Sequence, residues 1–157
     1  MLTLDVPGCG VWGLEHLVLD VNGTLALDGA LLPGVAERLG RLGAALTVHL
    51  LTADTHGRQR EIDAALGLTG VRLVSGVPED EQKAVYVREL GTGHVVAIGN
   101  GANDALMLRE AALGIAVLGG EGLAGVALRE ADVLAENITV ALDLLLFPRR
   151  LIATLRR

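Results

Sequence analysis

Short apolar runs alternate with amphipathic segments along the whole chain. The apolar runs predict strands over residues 15–21, 45–53, 71–76, 94–99, 114–119 and 131–136, with a further edge strand over 1–6. The segments between them predict helices over residues 33–42, 57–67, 78–90, 102–112, 121–131 and 138–147, with a last helical turn or two over 149–157. This regular exchange of strand and helix predicts a three-layer α/β fold, in which helices cover both faces of an open, mostly parallel sheet.

Turn residues separate these elements. Asp28-Gly29 is a two-residue turn signal and predicts a small β-hairpin over 24–32. Gly67 or Gly70 suits the end of the second helix, because glycine tolerates the left-handed conformation found there. The stretches between the predicted strands have room for single helices only. We therefore expect a hairpin flap and no separate cap domain.

The composition excludes several classes of protein. A chain of 157 residues without a linker or a repeat fits one domain, residues 1–157. A net charge of -6 and an aromatic content of 2% argue against nucleic acid as a partner. No apolar run has the roughly 18 residues that a membrane span requires, and no signal peptide is evident. The single cysteine, Cys9, rules out an internal disulfide. We expect a cytoplasmic protein without membrane or nucleic-acid partners.

Candidate site residues lie at the ends of three predicted strands. They are Asp20, Asn22, Gly23 and Thr24 at the end of strand 15–21, Thr52 and Ala53 at the end of strand 45–53, and Asn100, Asn103 and Asp104 after strand 94–99. Ligands of open parallel sheets bind beyond the carboxyl ends of the strands, so these side chains should converge. A carboxylate nucleophile, a hydroxyl and hard oxygen ligands suit phosphoryl transfer through an aspartyl-phosphate, with Mg²⁺ as the cofactor.

One basic residue differs from all the others. Of the 13 lysine and arginine residues, only Lys83 is a lysine. An arginine-rich codon usage explains the excess of arginine but not the one lysine that remains. A compact ammonium fits a tight site that a planar guanidinium does not. Because Lys83 lies early in the helix predicted over 78–90, near the same sheet edge, it is a candidate to neutralise phosphoryl oxygens.

Four motifs carry a resemblance to a known family. DVNGT, LLTAD, the lone Lys83 and GNGANDALML match in order the four motifs of haloacid dehalogenase-like phosphotransferases. The chain most resembles the phosphorylation domain of P-type cation ATPases, and within this group the small soluble P-type-ATPase-like phosphatases. The resemblance covers roughly residues 15–145. It implies a Rossmann-like haloacid dehalogenase fold without a cap domain, and a Mg²⁺-dependent phosphatase.

The resemblance also implies a role for each matching position. The residues that would act on the phosphoryl group are Asp20 as the nucleophile, Asn22, Thr52 and Lys83. The residues that would bind the substrate are Gly23, Thr24, Thr52, Ala53, Lys83 and Asn103. The residues that would hold Mg²⁺ are Asp20, Asn22 through its carbonyl oxygen, Asn100 and Asp104. Either Asn100 or Asp104 could be the direct ligand.

Two positions depart from the usual phosphatase pattern. Asn22 stands where an aspartate protonates the leaving group and then activates water, and Asn100 stands where an aspartate binds the metal. Losing general acid and base assistance costs about 10²–10⁴ in rate. This predicts an enzyme that keeps its aspartyl-phosphate or hydrolyses it slowly, or a substrate, such as an acyl phosphate, whose leaving group needs no proton. The alternative is a catalytically impaired domain with a binding or regulatory role.

Other interpretations and the predicted partners follow from the same residues. Gly99-Asn100-Gly101 invites comparison with a dinucleotide-binding loop, but a complete motif needs glycine where Asp104 stands. An open site without a cap would accept a bulky phosphorylated substrate, or a neighbouring subunit would cover it. We therefore predict a phosphorylated substrate and a homo-oligomer.

Overall fold

The chain folds into ten strands and seven helices. The computed structural model describes all of residues 1–157. The strands are β1 (Leu2–Val6), β2 (Gly10–Leu14), β3 (His16–Asp20), β4 (Ala26–Leu27), β5 (Ala30–Leu31), β6 (Thr47–Thr52), β7 (Val71–Arg72), β8 (Val95–Gly99), β9 (Leu113–Val117) and β10 (Val133–Ala135). The helices are α1 (Val35–Leu42), α2 (Gln59–Leu66), α3 (Glu79–Leu90), α4 (Ala105–Glu110), α5 (Gly125–Glu130), α6 (Ile138–Leu146) and α7 (Pro148–Leu155).

A six-stranded parallel sheet forms the centre of the molecule. Its strand order is β10-β9-β8-β3-β6-β7, and every neighbouring pair is parallel. All five residues of β8 and of β9 are buried, as are the last four of β3. Strands buried on both faces need continuous apolar runs, which is why these segments are apolar up to Asp20, the last residue of β3. The predicted α/β fold with an open, mostly parallel sheet is confirmed.

Helices cover both faces of this sheet and complete three layers. Residues of α1, α2, α6 and α7 pack into the larger apolar core on one face. Residues of α3, α4 and α5 pack into a second core on the other face. None of the helices has both the length and the apolar character needed to cross a bilayer. No further domain is inserted between the strands, so the predicted absence of a cap domain is also confirmed.

The first hairpin corrects the prediction of a single edge strand over 1–6. Strand β1 pairs antiparallel with β2 in a sheet of its own, and the pattern showed no sign of this partner strand. Two glycines, Gly10 and Gly13, interrupt the apolar positions of β2. The hairpin packs against the end of α7, where the Arg157 amide donates to the Pro7 carbonyl over 3.1 Å.

The strand predicted over 71–76 is shorter in the structure, which has only Val71–Arg72 in β7. The amide of Val74 donates to the side-chain oxygen of Gln82 over 2.7 Å, and the Val74 carbonyl accepts from the Gln82 amide over 3.0 Å. A side chain of α3 thus replaces the neighbouring strand as the hydrogen-bond partner. The loop that follows β7 is therefore held against α3, where it approaches the carboxyl edge of the sheet.

The hairpin predicted over 24–32 is confirmed. Strands β4 and β5 pair antiparallel through a turn at Asp28 (φ 51°) and Gly29 (φ 77°). Positive φ at both central residues is the requirement of a type I′ turn. We call β4, β5 and this turn the flap, residues 26–31. The flap lies directly after the polar residues that end β3.

Two predicted helices begin later than expected. The segment 102–112 starts with a 3₁₀ turn at Ala102–Asp104 and continues as α4. The segment 121–131 is helical only from Gly125, because the chain makes a tight turn in which the Gly122 amide donates to the Gly119 carbonyl over 2.9 Å. Glu121 lies in this turn and not in a helix.

A row of three titratable side chains crosses from the sheet to α3. His16 Nδ1 and His49 Nε2 are 3.1 Å apart, and His49 Nδ1 is 2.9 Å from the hydroxyl oxygen of Tyr86. Burial lowers the pKa of His49, and the neighbouring His16 lowers this pKa further.

We expect the stability of the protein to fall on acidification because of His49. The folded state holds His49 neutral more strongly than the unfolded chain does. Its contribution is therefore complete above the ordinary histidine pKa of about 6.5 and is lost as the pH falls below that value. Urea unfolding at pH 7.5 and pH 5 should show a smaller loss of stability for His49→Gln than for the wild type. His94→Gln, at an exposed histidine, is the control and should behave like the wild type. Equal losses in all three proteins would contradict this prediction.

Candidate active site

The ends of three neighbouring strands bring the predicted polar residues to one edge of the sheet. Asp20 is the last residue of β3, Thr52 is the last residue of β6, and Asn100 follows β8 directly. Because β3 lies between β6 and β8, Asp20 is at the centre of this edge. Asp20 is only 5% exposed. A carboxylate buried to this degree needs partners that compensate for its lost hydration.

Lys83 is the principal partner of Asp20. Its ammonium donates to Asp20 Oδ1 over 2.7 Å and to Asp104 Oδ1 over 2.7 Å. Lys83 is 1% exposed and is one of the largest fully buried side chains in the protein. Lys83 belongs to α3, and its side chain extends from this helix to the end of β3. The only lysine of the chain therefore contacts the predicted nucleophile directly.

Asp104 positions Lys83. Its Oδ2 accepts hydrogen bonds from the backbone amides of Asn100 and Gly101, both over 2.9 Å, while its Oδ1 accepts from Lys83. Asp104 is fully buried. Both of its oxygens are thus already occupied by donors from the protein.

Thr24 connects Asp20 with Asn100. Its hydroxyl oxygen is 3.0 Å from Asp20 Oδ2 and 3.1 Å from Asn100 Oδ1. Two oxygen acceptors, one anionic and one neutral, therefore approach the same point. The carbonyl oxygen of Asn22 accepts no backbone hydrogen bond. These three oxygens belong to three of the four residues that the family resemblance predicts as metal ligands. Both oxygens of the fourth residue, Asp104, already accept hydrogen bonds from the protein.

The charges of the site fit a divalent cation. Asp20 and Asp104 bring two carboxylates, and Lys83 brings one ammonium, so one buried negative charge remains without compensation. No three histidine, cysteine, aspartate or glutamate side chains are grouped to hold a metal ion. A cation here would take its remaining ligands from neutral oxygens and water, which is the usual coordination of Mg²⁺.

The same charges shift the pKa of Asp20. Burial and the Asp104 carboxylate raise the pKa of Asp20 to about 7, against the opposing effects of Lys83 and Thr24. Burial alone would lower the pKa of Lys83, but the carboxylates of Asp104 and Asp20 outweigh it and raise this pKa above its ordinary value. Lys83 is therefore charged at neutral pH. A cation near Asp20 would favour the ionised form of the Asp20 carboxylate.

Thr52, the last residue of β6, lies on the other side of Asp20. Its hydroxyl oxygen accepts from the amide of Asp54 over 2.9 Å and is 3.5 Å from the side-chain nitrogen of Asn22. Asp54 in turn accepts from the Gln59 amide over 3.0 Å, so its side chain binds a free amide at the start of α2. Thr52 and Asn22 are thus neighbours at the site, and neither contacts Lys83.

Asn103 and Ala53 mark the outer limit of the site. Asn103 donates to the Glu79 carboxylate over 2.7 Å and ties the 3₁₀ turn to the first turn of α3. Ala53 is exposed and borders a cavity of about 170 Å³ that Ser75, Gly76 and Glu79 also line. The largest cavity, of about 520 Å³, lies at the opposite edge of the sheet and has no part in this site.

Sequence analysis missed one residue at this edge, Glu121. A Cβ atom built on Gly23 would overlap the Glu121 carboxylate and lie 2.9 Å from the side-chain nitrogen of Asn100. Gly23 also has a φ of +81°, and this left-handed conformation is what favours glycine there. The run GGEG at 119–122 was a turn signal that could have placed Glu121 outside a helix.

Comparison with known proteins finds a small protein that is similar over much of its length and a large transporter that is similar over a small part. No protein-family model matches the chain. The uncharacterized protein MJ0073 of Methanocaldococcus jannaschii is 48% identical over 62 residues, which are 40% of this chain and 67% of that protein. The copper-transporting ATPase PAA1 of Arabidopsis thaliana is 27% identical over 125 residues, which are 78% of this chain but 13% of the transporter. The chain therefore belongs to the same family as MJ0073, and it matches only a small part of the transporter.

Solved structures identify the fold. The 3-deoxy-D-manno-octulosonate 8-phosphate phosphatase of Moraxella catarrhalis, solved with magnesium, phosphate and KDO, has a TM-score of 0.64 at 17% identity over 91% of this chain and 94% of its own. A protein of Streptomyces avermitilis assigned to the HAD family of hydrolases has a TM-score of 0.68 at 18% identity, over 87% of both chains. The chain has the haloacid dehalogenase-like fold.

The same fold occurs within a larger protein. A zinc-transporting PIB-type ATPase in the E2·Pi state has a TM-score of 0.63 at 29% identity, over 79% of this chain but 20% of its own. The haloacid dehalogenase-like fold inferred from the four motifs is thus confirmed, together with the likeness to P-type ATPases. Both could be recognised in the sequence because three of the four motifs lie at the ends of β3, β6 and β8.

Proposed function

We propose that this protein is a Mg²⁺-dependent phosphohydrolase or phosphotransferase that forms an aspartyl-phosphate on Asp20. The observation that carries this proposal is the position of the Asp20 carboxylate, buried at the central strand end and 2.7 Å from the Lys83 ammonium. In-line attack by a carboxylate oxygen of Asp20 would form a new P–O bond while the bond to the leaving group breaks. Lys83 would balance charge on the phosphoryl oxygens, and Asp104 would hold Lys83 in place.

The proposed cation site consists of Asp20, the Asn22 carbonyl and Asn100. Asn100 is the better candidate than Asp104, because Asn100 Oδ1 and Asp20 Oδ2 approach the same Thr24 hydroxyl. When bound, Mg²⁺ would neutralise charge on the transferring phosphoryl group. The Moraxella phosphatase of the same fold was solved with magnesium and phosphate, which supports this choice of cofactor.

Substrate binding is proposed for the residues around Asp20. Thr52, the backbone near Gly23 and Ala53, and Lys83 would surround the phosphoryl group. Thr24 is hydrogen-bonded to Asp20 and positions it, and Asn103 acts through Glu79 at the start of α3. The cavity beside Ala53 offers about 170 Å³ next to this group. The substrate that we propose is a phosphorylated compound whose leaving group enters from this side.

Asn22 determines which leaving groups suit the site. An amide cannot give a proton to the departing oxygen or take one from water. Efficient transfer to Asp20 is therefore expected from donors whose leaving group is already a stable anion, such as acyl phosphates. The second step, attack of water on the aspartyl-phosphate, would be slow for the same reason.

The test is to add acetyl phosphate and Mg²⁺ to the purified protein and to follow both intact mass and released phosphate. We expect a mass increase of one phosphoryl group that decays slowly, and no adduct in the presence of a chelator. Asp20→Asn is the matched control, since it keeps the side-chain shape but removes the nucleophile, and it should form no adduct. Neither adduct nor phosphate release, with acetyl phosphate or with para-nitrophenyl phosphate, would contradict the proposed activity.

Asn22 and Asn100 favour a second candidate function. A domain that retains the fold and the Lys83 contacts but lacks acid and base assistance could bind phosphate or Mg²⁺ in a regulatory role. In that case the protein would bind these ligands without becoming phosphorylated. The homo-oligomer stays a prediction in either case.

A further inference from the structure

We propose that Glu121 supplies the negative charge that Asn100 does not bring to the cation site. This inference rests on the proposed function, because it concerns the same Mg²⁺. Glu121 is in the turn between β9 and α5, at the rim of the site and outside the four motifs. Its side chain is exposed.

Two hydrogen bonds and one close approach of the backbone place the turn of Glu121 against the site. The side-chain nitrogen of Asn100 donates to the Gly122 carbonyl over 3.2 Å, and the Ala124 amide donates to the Asn100 carbonyl over 2.9 Å. A Cβ atom on Gly119 would lie 3.1 Å from the Gly23 carbonyl oxygen. The backbone around Glu121 is thus hydrogen-bonded to Asn100 and lies close to Gly23.

The amide of Asn100 has two different faces. Its oxygen faces Thr24 and Asp20, where the proposed cation would bind. Its nitrogen donates to the Gly122 carbonyl, and this nitrogen and the Glu121 carboxylate both lie next to Gly23. An aspartate at position 100 would instead place a carboxylate oxygen against the Gly122 carbonyl, with the Glu121 carboxylate nearby. Asparagine therefore fits at position 100, and the carboxylate of this part of the site is at position 121.

This arrangement assigns complementary roles to the two residues. Asn100 provides a neutral ligand oxygen, and Glu121 provides a carboxylate that attracts the cation and accepts hydrogen bonds from its water ligands. Outer partners of this kind change metal affinity by about 10–100-fold when they are replaced. Because Glu121 is exposed, its replacement should leave the fold intact.

The experiment measures binding of Mn²⁺, used as a paramagnetic probe for Mg²⁺, by electron paramagnetic resonance at low ionic strength. We expect Glu121→Gln to bind Mn²⁺ about tenfold more weakly than the wild type. Asn100→Asp combined with Glu121→Gln should restore the affinity, because the carboxylate returns to position 100 without its repelling neighbour. Glu37→Gln, an exposed residue of α1, is the control for net charge and should bind like the wild type.

Each remaining outcome overturns the inference in a distinct way. If the wild type binds Mn²⁺ and Glu121→Gln binds it equally well, the inference is wrong while the proposed function stands. The inference also fails if only the decay of the aspartyl-phosphate slows in Glu121→Gln, since Glu121 would then act on proton transfer. No binding by the wild type overturns both the inference and the cation site of the proposed function.

Discussion

Replacing Asn22 with aspartate is expected to shorten the lifetime of the phosphoryl group on Asp20 by about 10²–10⁴-fold. The new carboxylate would stand two residues after the nucleophile, at the position of the side chain that now points to Thr52. The Thr52 hydroxyl accepts from the Asp54 amide and keeps its own proton, so it can donate to the introduced carboxylate. The carboxylate could then accept a proton from the attacking water, which the amide of Asn22 cannot do.

The measurement is the decay of the adduct after rapid removal of acetyl phosphate, followed by intact mass. Asn22→Ala is the control, because it removes the amide without adding a base, and its adduct should last at least as long as that of the wild type. The explanation for Asn22 is contradicted if the aspartate variant and the wild type lose the phosphoryl group at the same rate.

Replacement of Lys83 with methionine is the second large expected effect. The ammonium is the one cation between two buried carboxylates, at 2.7 Å from each. Removing one partner of a buried ion pair typically costs about 3–5 kcal/mol, which is a large part of the roughly 5–15 kcal/mol that stabilises a domain. Urea unfolding at neutral pH should therefore show a marked loss of stability, and adduct formation from acetyl phosphate should fall by about 10²-fold or more.

A double variant separates the two consequences of losing Lys83. In Lys83→Met combined with Asp104→Asn, only Asp20 remains charged, so much of the lost stability should return. Adduct formation should stay slow, since no cation faces the phosphoryl oxygens from α3. This variant also provides the test if Lys83→Met alone does not fold. Wild-type rates of adduct formation in the double variant would exclude a role for Lys83 in phosphoryl transfer.

The fold class could be predicted because buried strands consist of consecutive apolar residues, which are visible in the sequence. Apart from His16 and Asp20 of β3, strands β3, β8 and β9 contain only apolar residues since they are covered on both faces. Polar residues mark the ends of β3 and β8, at Asp20 and Asn100. The flap was visible for a similar reason, because a type I′ turn requires residues such as Asp28-Gly29 that tolerate positive φ. Elements were misjudged where a distant partner decided their length. The end of β7 is one example, since Gln82 of α3 takes the hydrogen bonds that a strand would have made.

The sequence by itself determined the alternation of strands and helices from β3 onwards, the place of Asp20 at a strand end and the singling out of Lys83 as a site residue. Only the tertiary structure decided that Lys83 lies between Asp20 and Asp104, that Asn100 shares the Thr24 hydroxyl with Asp20, and that Glu121 lies beside them. The physical reason is how far apart along the chain the interacting residues lie. Periodicity and turn chemistry act over a few neighbouring residues, whereas the site is built from side chains up to 101 positions apart, between Asp20 and Glu121. The distance between such side chains depends on how the parallel strands and their crossing helices pack.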